Sequence, residues 1–440
     1  MERILPFKAL SYNKNIVGNL SAVLAPPYDI ISEQEREKLY NSHPFNVVRL
    51  EHGAISDNDN DADNKYTRSA ETLSEWMRSG VLVPDRQSAI YIYGQDFNLP
   101  DGRQFTRTGI VCLVRVDDFE EGTILPHLET ASGAKTDRLN LMTACGATFS
   151  PISALYEDPD SLISPIISEI ISYPPETTVK TSGGVIQKLW SVTDEQVISK
   201  ITAALEDKKF FIADGHHRYE SAVNYRNLMA DVNPDHIGTG LYNYTMMFLE
   251  DMADPGIVIF PSHPMVRSLV GYNENSVISQ LSECFDVIRM DAEDIESSVR
   301  TKLDENRDVP CFAMYTGKEY YYILRLKSFA AADGVNTDKS AVFRHLDVTV
   351  LHSLVLGKVF GMAESDLKNQ GYLSYTRDIG EAVNEVKNGT FQCSFMLNST
   401  KIHQIKDVAL EGEKLPQKST YFYPMLITGL LMNKFNQGKE

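Results

Sequence analysis

Asp214, Gly215, His216, His217 and Arg218 follow directly on the short apolar run Phe210-Phe211-Ile212-Ala213. Beyond them Tyr219, Ala222, Val223, Arg226 and Met229 recur at helical spacing. The five residues therefore bridge a strand and the first turn of a helix. The first N–H groups of a helix lack partners within it and point out of its end, where the macrodipole adds positive potential. Gly215 lets the backbone approach a ligand, and Arg218 can grip two phosphate oxygens at once. Gly215, His216, His217 and Arg218 thus read as a phosphate cradle. Asp214 suits Mg2+ or the orientation of a histidine better than contact with bare phosphate. His216 or His217 can move a proton near neutral pH. Neighbours in a helix point about 100° apart, so one of the two is expected to face the ligand. The competing structural reading has Asp214 capping the helix. It leaves the cationic cluster at a positive helix end without compensation.

Three further groups extend this chemistry. Pro26 and Pro27 fix the backbone ahead of Tyr28 and Asp29, which makes Asp29 a rigidly held candidate base. His127, Thr130, Lys135, Asp137 and Arg138 form a titratable loop that could wall a substrate. Lys418, Ser419 and Thr420 offer an ammonium and two hydroxyls to an anion. Position 417 is Gln where a P-loop needs Gly, so this is not that motif. His263 and His352 each stand alone beside apolar residues and read as core groups.

The elements that must position these groups alternate between strand and helix patterns. A strand is expected over Ser21 to Ile31, ending in the Pro-Pro turn. Ser32 with Glu35 opens a short helix, and Tyr66 to Ser79 forms an amphipathic one. Ala89 to Tyr93 and Gly109 to Val116 read as a hairpin turning near Leu99-Pro100-Asp101-Gly102. Thr193 with Gln196 is expected to cap a helix to Leu205. Strands follow at Thr245–Leu249, Ile257–Phe260, Cys311–Tyr315 and Tyr320–Leu326, and a helix after Asp347. The fold class is α/β (α+β). One domain is expected over residues 1–238, and a second α/β domain contributing to the substrate site over 239–440.

The bulk composition narrows the partners. The 440-residue chain carries a net charge of −18, which speaks against a nucleic-acid backbone as ligand. Its five widely spaced cysteines form no metal or redox motif, consistent with reduced thiols. No secretory signal or membrane span is legible, so a cytoplasmic location is expected. The oligomeric state is left open.

The strings Pro26-Pro27-Tyr28-Asp29, His127 to Arg138, Ile212 to Arg218, Leu346-Asp347-Val348 with Leu351-His352, and Pro416 to Pro424 occur in the order of a known family. The chain resembles the bacterial and archaeal family catalogued as domain of unknown function 1015. Asp-Gly-His-His-Arg is also similar to the phosphate motif of the ParB/sulfiredoxin superfamily, with the free-serine kinases closest in wording. That likeness covers the core of the N-terminal half. Three positions depart from the family pattern: Leu128 after His127, Pro264 after His263, and Met425. His216 stands where sulfiredoxins carry cysteine, which removes sulfinic-acid repair.

The resemblance implies a ParB/sulfiredoxin-like mixed sheet and a nucleotide, ATP or ADP with Mg2+ at Asp214, as cofactor. The expected activity is phosphotransfer between that nucleotide and a small hydroxyl metabolite, free serine or O-phosphoserine among the candidates. Asp29, Asp214 and His216 are the catalytic candidates. His127, Thr130, Lys135, Asp137, Arg138, Lys418, Ser419 and Thr420 are the substrate-binding ones. The alternatives are a phosphatase or nucleotide hydrolase, and a non-catalytic nucleotide-gated binding module.

Overall fold

The computed structural model describes residues 2–130, 132–233, 240–363, 371–416 and 419–435. The chain divides into two compact units. The first holds Met1–Pro126, Thr130–Val258 and Pro424–Glu440; the second holds His127–Glu129 and Ile259–Tyr423.

The first unit is built on a nine-stranded mixed sheet. Its strands are β1 (Ile90–Asn98), β2 (Gln104–Arg115), β3 (Ile124–Leu125), β4 (Ile152–Tyr156), β5 (Thr177–Lys180), β6 (Ile186–Val192), β7 (Phe210–Asp214) and β8 (Tyr244–Asp251). They run in the order β3-β7-β4-β8-β2-β1-β6-β5, and a short strand Ile4–Leu5 also pairs with β2. Alternate residues feed two cores: Tyr91 and Tyr93 enter one, Ile90 and Ile92 the other. Both faces are covered, so the central strands are buried almost throughout.

Five helices bear on the argument: α1 (Glu33–Ser42), α2 (Lys65–Arg78), α3 (Ser132–Cys145), α4 (Glu195–Leu205) and α5 (His216–Val232). Leu73 and Trp76 of α2 and Leu141 and Cys145 of α3 pack on the first face. Ile201 and Leu205 of α4 and Tyr219, Ala222 and Tyr225 of α5 pack on the other.

Most expected elements are present, including the β1–β2 hairpin and the Ser32 cap, whose hydroxyl accepts from Glu35 N–H at 3.2 Å. Three differ. Residues 21–31 form no strand; single 3-10 turns occur at Leu20–Ala22 and Tyr28–Ile30. Pro26 and Pro27 have no N–H to give a ladder. The cap of α4 is Asp194, which accepts from the N–H groups of Gln196 and Val197. The segment after Thr130, expected as a loop, is helix α3 from Ser132. Its buried side is Arg138, Leu141, Met142 and Cys145, a helical stripe that opens on an arginine and so escapes a hydrophobicity pattern.

The second unit holds a six-stranded sheet made of β9 (His263–Val266), β10 (Phe285–Asp291), β11 (Cys311–Tyr315), β12 (Tyr320–Leu326), β13 (Leu373–Thr376) and β14 (Cys393–Leu397). The order is β10-β12-β11-β14-β9-β13. Helix α6 (Asp347–Val350) runs directly into a π-helical stretch, Leu351–Val359. Among the described residues no helix is long and apolar enough to cross a membrane.

Candidate functional site

Strand β7 reaches the Asp-Gly-His-His-Arg turn through a bulge. Its register against β4 shifts between Ile212 and Asp214, so Ala213 is the extra residue. A bulge bends its strand and re-aims the side chains that follow. Gly215 then takes φ 92°, in the left-handed region that glycine enters without penalty, and α5 starts at His216. The turn therefore depends on Gly215 for its backbone.

Arg218 lies back across this turn. Its Nη2 donates to Asp214 Oδ2 at 2.5 Å, and its Nη1 donates to Ser150 Oγ at 3.0 Å and to the Pro151 carbonyl at 2.7 Å. A Cβ on Gly215 would meet the guanidinium at 2.9 Å. The negative charge that balances Arg218 is thus Asp214 of the same turn. Burial pushes the Asp214 carboxyl above the ordinary range; Arg218 opposes that shift and Asp29 adds to it. The N-cap of α5 is Gly215, not Asp214. His216 is buried and His217 half-buried. Burial lowers the His217 pKa; Glu220 acts against the shift, and Lys135 and Arg218 reinforce it.

Helix α3 delivers the neighbouring group. Arg138 is buried and donates to a single oxygen of Asp137, Oδ2, from Nε at 3.0 Å and from Nη2 at 2.5 Å. It also reaches Glu51 Oε1 at 3.2 Å, and its guanidinium carbon lies 3.9 Å from the centre of the Tyr28 ring. Lys65 and Tyr66 bind the other side of Asp137. Burial alone would raise Asp137, but Arg138 and Lys65 outweigh it and hold the carboxyl down to about 2. Burial raises Glu51 despite Arg138, and it pushes the Tyr28 phenol up to about 12. Lys135 pairs with Glu220 at 2.7 Å, and Thr130 donates to the same carboxylate at 2.9 Å. Asp29 is exposed on the 3-10 turn after Pro27.

Asp29, Asp137, Arg138, Asp214 and Arg218 are therefore one electrostatic neighbourhood of the first unit, with Thr130 and Lys135 fastened to α5 beside it. A cavity of about 30 Å3 lies among Glu51, Arg138, Ser150 and Arg218. His127, Ser419 and Thr420 belong to the second unit, where His127 Nε2 lies 2.8 Å from Thr420 Oγ1 and both residues are buried. Lys418 falls outside the described residues.

The sequence reading missed Tyr28, Glu51, Lys65, Ser150 and Glu220. Glu51 had a usable signal: it closes the run Val47-Val48-Arg49-Leu50, where a carboxylate buried with Val48 and Leu50 needs a cationic partner. Among the described residues no three His, Cys, Asp or Glu side chains group as a metal site. Asp214 is already engaged by Arg218, so it does not by itself make a resident Mg2+ site.

The fold is that of a mixed α/β protein with a strand–turn–helix motif one strand in from the edge of its first sheet. The chain belongs to the family described as protein of unknown function (DUF1015), whose model matches residues 4–349. No match was found among curated proteins. Similar solved structures include a conserved hypothetical protein from Pyrococcus furiosus, 13% identical, TM-score 0.33, covering 71% of this chain and 90% of that one. A free serine kinase in complex with AMP is 13% identical, TM-score 0.34, covering 71% and 86%. SbnI with a C-terminal truncation, from Staphylococcus aureus, is 11% identical, TM-score 0.35, covering 75% and 90%.

Proposed function

We propose that the chain is a phosphotransferase that moves a phosphoryl group between a nucleotide and a small hydroxyl metabolite, with free serine the first acceptor to test. The observation that carries the reading is the left-handed Gly215 at the N-terminal end of α5, with Arg218 folded over it. An arriving phosphate competes with Asp214 for Arg218. It offers more charge and more acceptor oxygens than one carboxylate, and the helix end supplies further N–H donors. Arg138 and Lys135 add cationic charge nearby. An Mg2+ would arrive on the nucleotide's own phosphates. Asp29, exposed and held by the Pro-Pro turn, accepts the proton of the acceptor hydroxyl as its oxygen bonds to phosphorus and the bond to the leaving nucleotide oxygen breaks.

Titration calorimetry with ATP, ADP and AMP tests the site. Arg218→Ala is expected to weaken nucleotide binding about tenfold or more, since hydrogen bonds to charged groups are worth about 1.5–3 kcal/mol each. His216→Ala is expected to weaken it less. Variants that remain folded and bind as the parent does would end the assignment. Incubation with phosphoserine, with and without ADP, separates transfer from hydrolysis: phosphate released without nucleotide would favour a phosphatase.

A further inference from the structure

Three stretches that the phosphoryl site leaves unused converge in the second unit: the Pro261-Ser262 turn, the α6–π-helix junction at Val348 and His352, and Ser419. They line one cavity together with Tyr375 of β13 and with Leu397, Asn398 and Thr400 at the end of β14. His352 sits in the second position of the π-helical stretch. π-Turns are uncommon and occur often at functional sites.

We propose that this cavity is a second ligand site, one that takes a small uncharged polyol and seats one of its hydroxyls at the closed end. The lining supplies the argument. Its polar groups are the Ser262, Thr400 and Ser419 hydroxyls, the Tyr375 phenol, the Asn398 amide and the His352 imidazole. Among the described residues no carboxylate, lysine or arginine lines it. A charged ligand would be desolvated there without a counter-charge. Ser419 donates its own proton to the Pro416 carbonyl at 2.6 Å, so toward a ligand it acts as an acceptor. The Asn398 amide nitrogen donates to the Leu303 carbonyl at 2.9 Å, which leaves the amide oxygen as its acceptor. Tyr375 Oη and His352 Nε2 stand 3.5 Å apart, at the limit of hydrogen bonding, so both keep capacity for a ligand hydroxyl that bridges them from one side. Burial lowers His352 to about 4, which keeps the ring neutral and able both to donate and to accept.

Size points the same way. The enclosed space is about 10 Å3. The deep end therefore holds one water-sized group. A ligand hydroxyl there can reproduce a water's hydrogen bonds, which is the condition for displacing it without loss.

The test is titration calorimetry and saturation-transfer NMR on the full chain, with xylitol and myo-inositol as probes and myo-inositol monophosphate as the charged counterpart. Polyols also stabilise proteins by exclusion from their surface, so saturable binding is read rather than melting temperature. Saturable binding of a neutral probe is expected, weaker for the phosphate ester, and reduced about tenfold in His352→Phe and in Thr400→Val. Circular dichroism confirms that each variant is folded. Thr400→Val, in a half-buried loop, decides the matter should His352→Phe not fold. The proposal is overturned by absence of saturable binding of both neutral probes. Tighter binding of the phosphate ester, or unchanged affinity in a folded variant, overturns it equally.

Discussion

Asp137 is held by Arg138, Lys65 and Tyr66 at once, and that crowding makes it a measurable reporter of the site. Its folded pKa of about 2 lies below the ordinary 3.8. The folded state therefore binds the proton less readily than the unfolded chain does. The resulting stabilisation is complete above the unfolded value and disappears as pH falls through the folded one. A shift of this size corresponds to roughly 2 kcal/mol as a ceiling, at about 1.4 kcal/mol per unit. Asp137→Asn is expected to lower stability by about 1–2 kcal/mol near neutrality. The gap to the parent should close between about pH 4 and pH 2. Urea titrations at stepped pH measure it, and parallel curves for parent and variant across that interval would remove Asp137 from the charge cluster. The residue types here were legible: Asp29, Arg138, Asp214 and Arg218 were all singled out by type and spacing. Their pairings were not. Glu51 lies far from Arg138 along the chain, and only the fold of α3 against the turn Val48–Glu51 brings them within 3.2 Å.

At the level of elements, periodicity served where a stripe was apolar and failed where a charge took a core position. The β1–β2 hairpin follows from two apolar runs flanking a polar turn, and α2 from helical spacing. Helix α3 does not, because Arg138 occupies the first position of its buried stripe. The α4 cap shows a finer error. Thr193 and Asp194 are both good caps by type, and the spacing to Gln196 pointed to the threonine. The Asp194 carboxylate instead takes the N–H groups of Gln196 and Val197 at 2.9 and 3.0 Å. Asp194→Ala should therefore cost about 1 kcal/mol, and Thr193→Ala much less. Thermal denaturation of the two variants distinguishes them; equal losses would return the cap to Thr193. The bulge at Ala213 left no mark in the sequence, since Phe210 to Ala213 reads as a plain apolar strand. It is nonetheless what aims Asp214 at Arg218.

For the whole molecule, the division of the chain sets what can be expressed alone. A boundary after residue 238 falls ahead of β8, which lies between β4 and β2 in the middle of the first sheet. A fragment ending there exposes the adjoining edges of β4 and β2 and lacks Met246 to Leu249, all fully buried. Ending at Val258 keeps β8 but still omits the segment that returns to the first unit at Pro424. That segment places Leu426, Ile427, Leu430, Leu431 and Met432 in one core and Phe435 in the other. Its backbone bonds Met432 to Leu10 and Thr428 to Ala25. Deleting a single large core side chain typically costs 2–5 kcal/mol, against a total stability of about 5–15 kcal/mol for a domain. Six at once exceed that margin. A fragment of residues 1–258 is therefore expected to be expanded or aggregated, with poor dispersion in a proton–nitrogen NMR spectrum. A fusion of residues 1–126, 130–258 and 424–440 through flexible linkers is expected to recover it. A dispersed spectrum from 1–258 alone would mean that the C-terminal return is an appendage rather than part of the first unit's core.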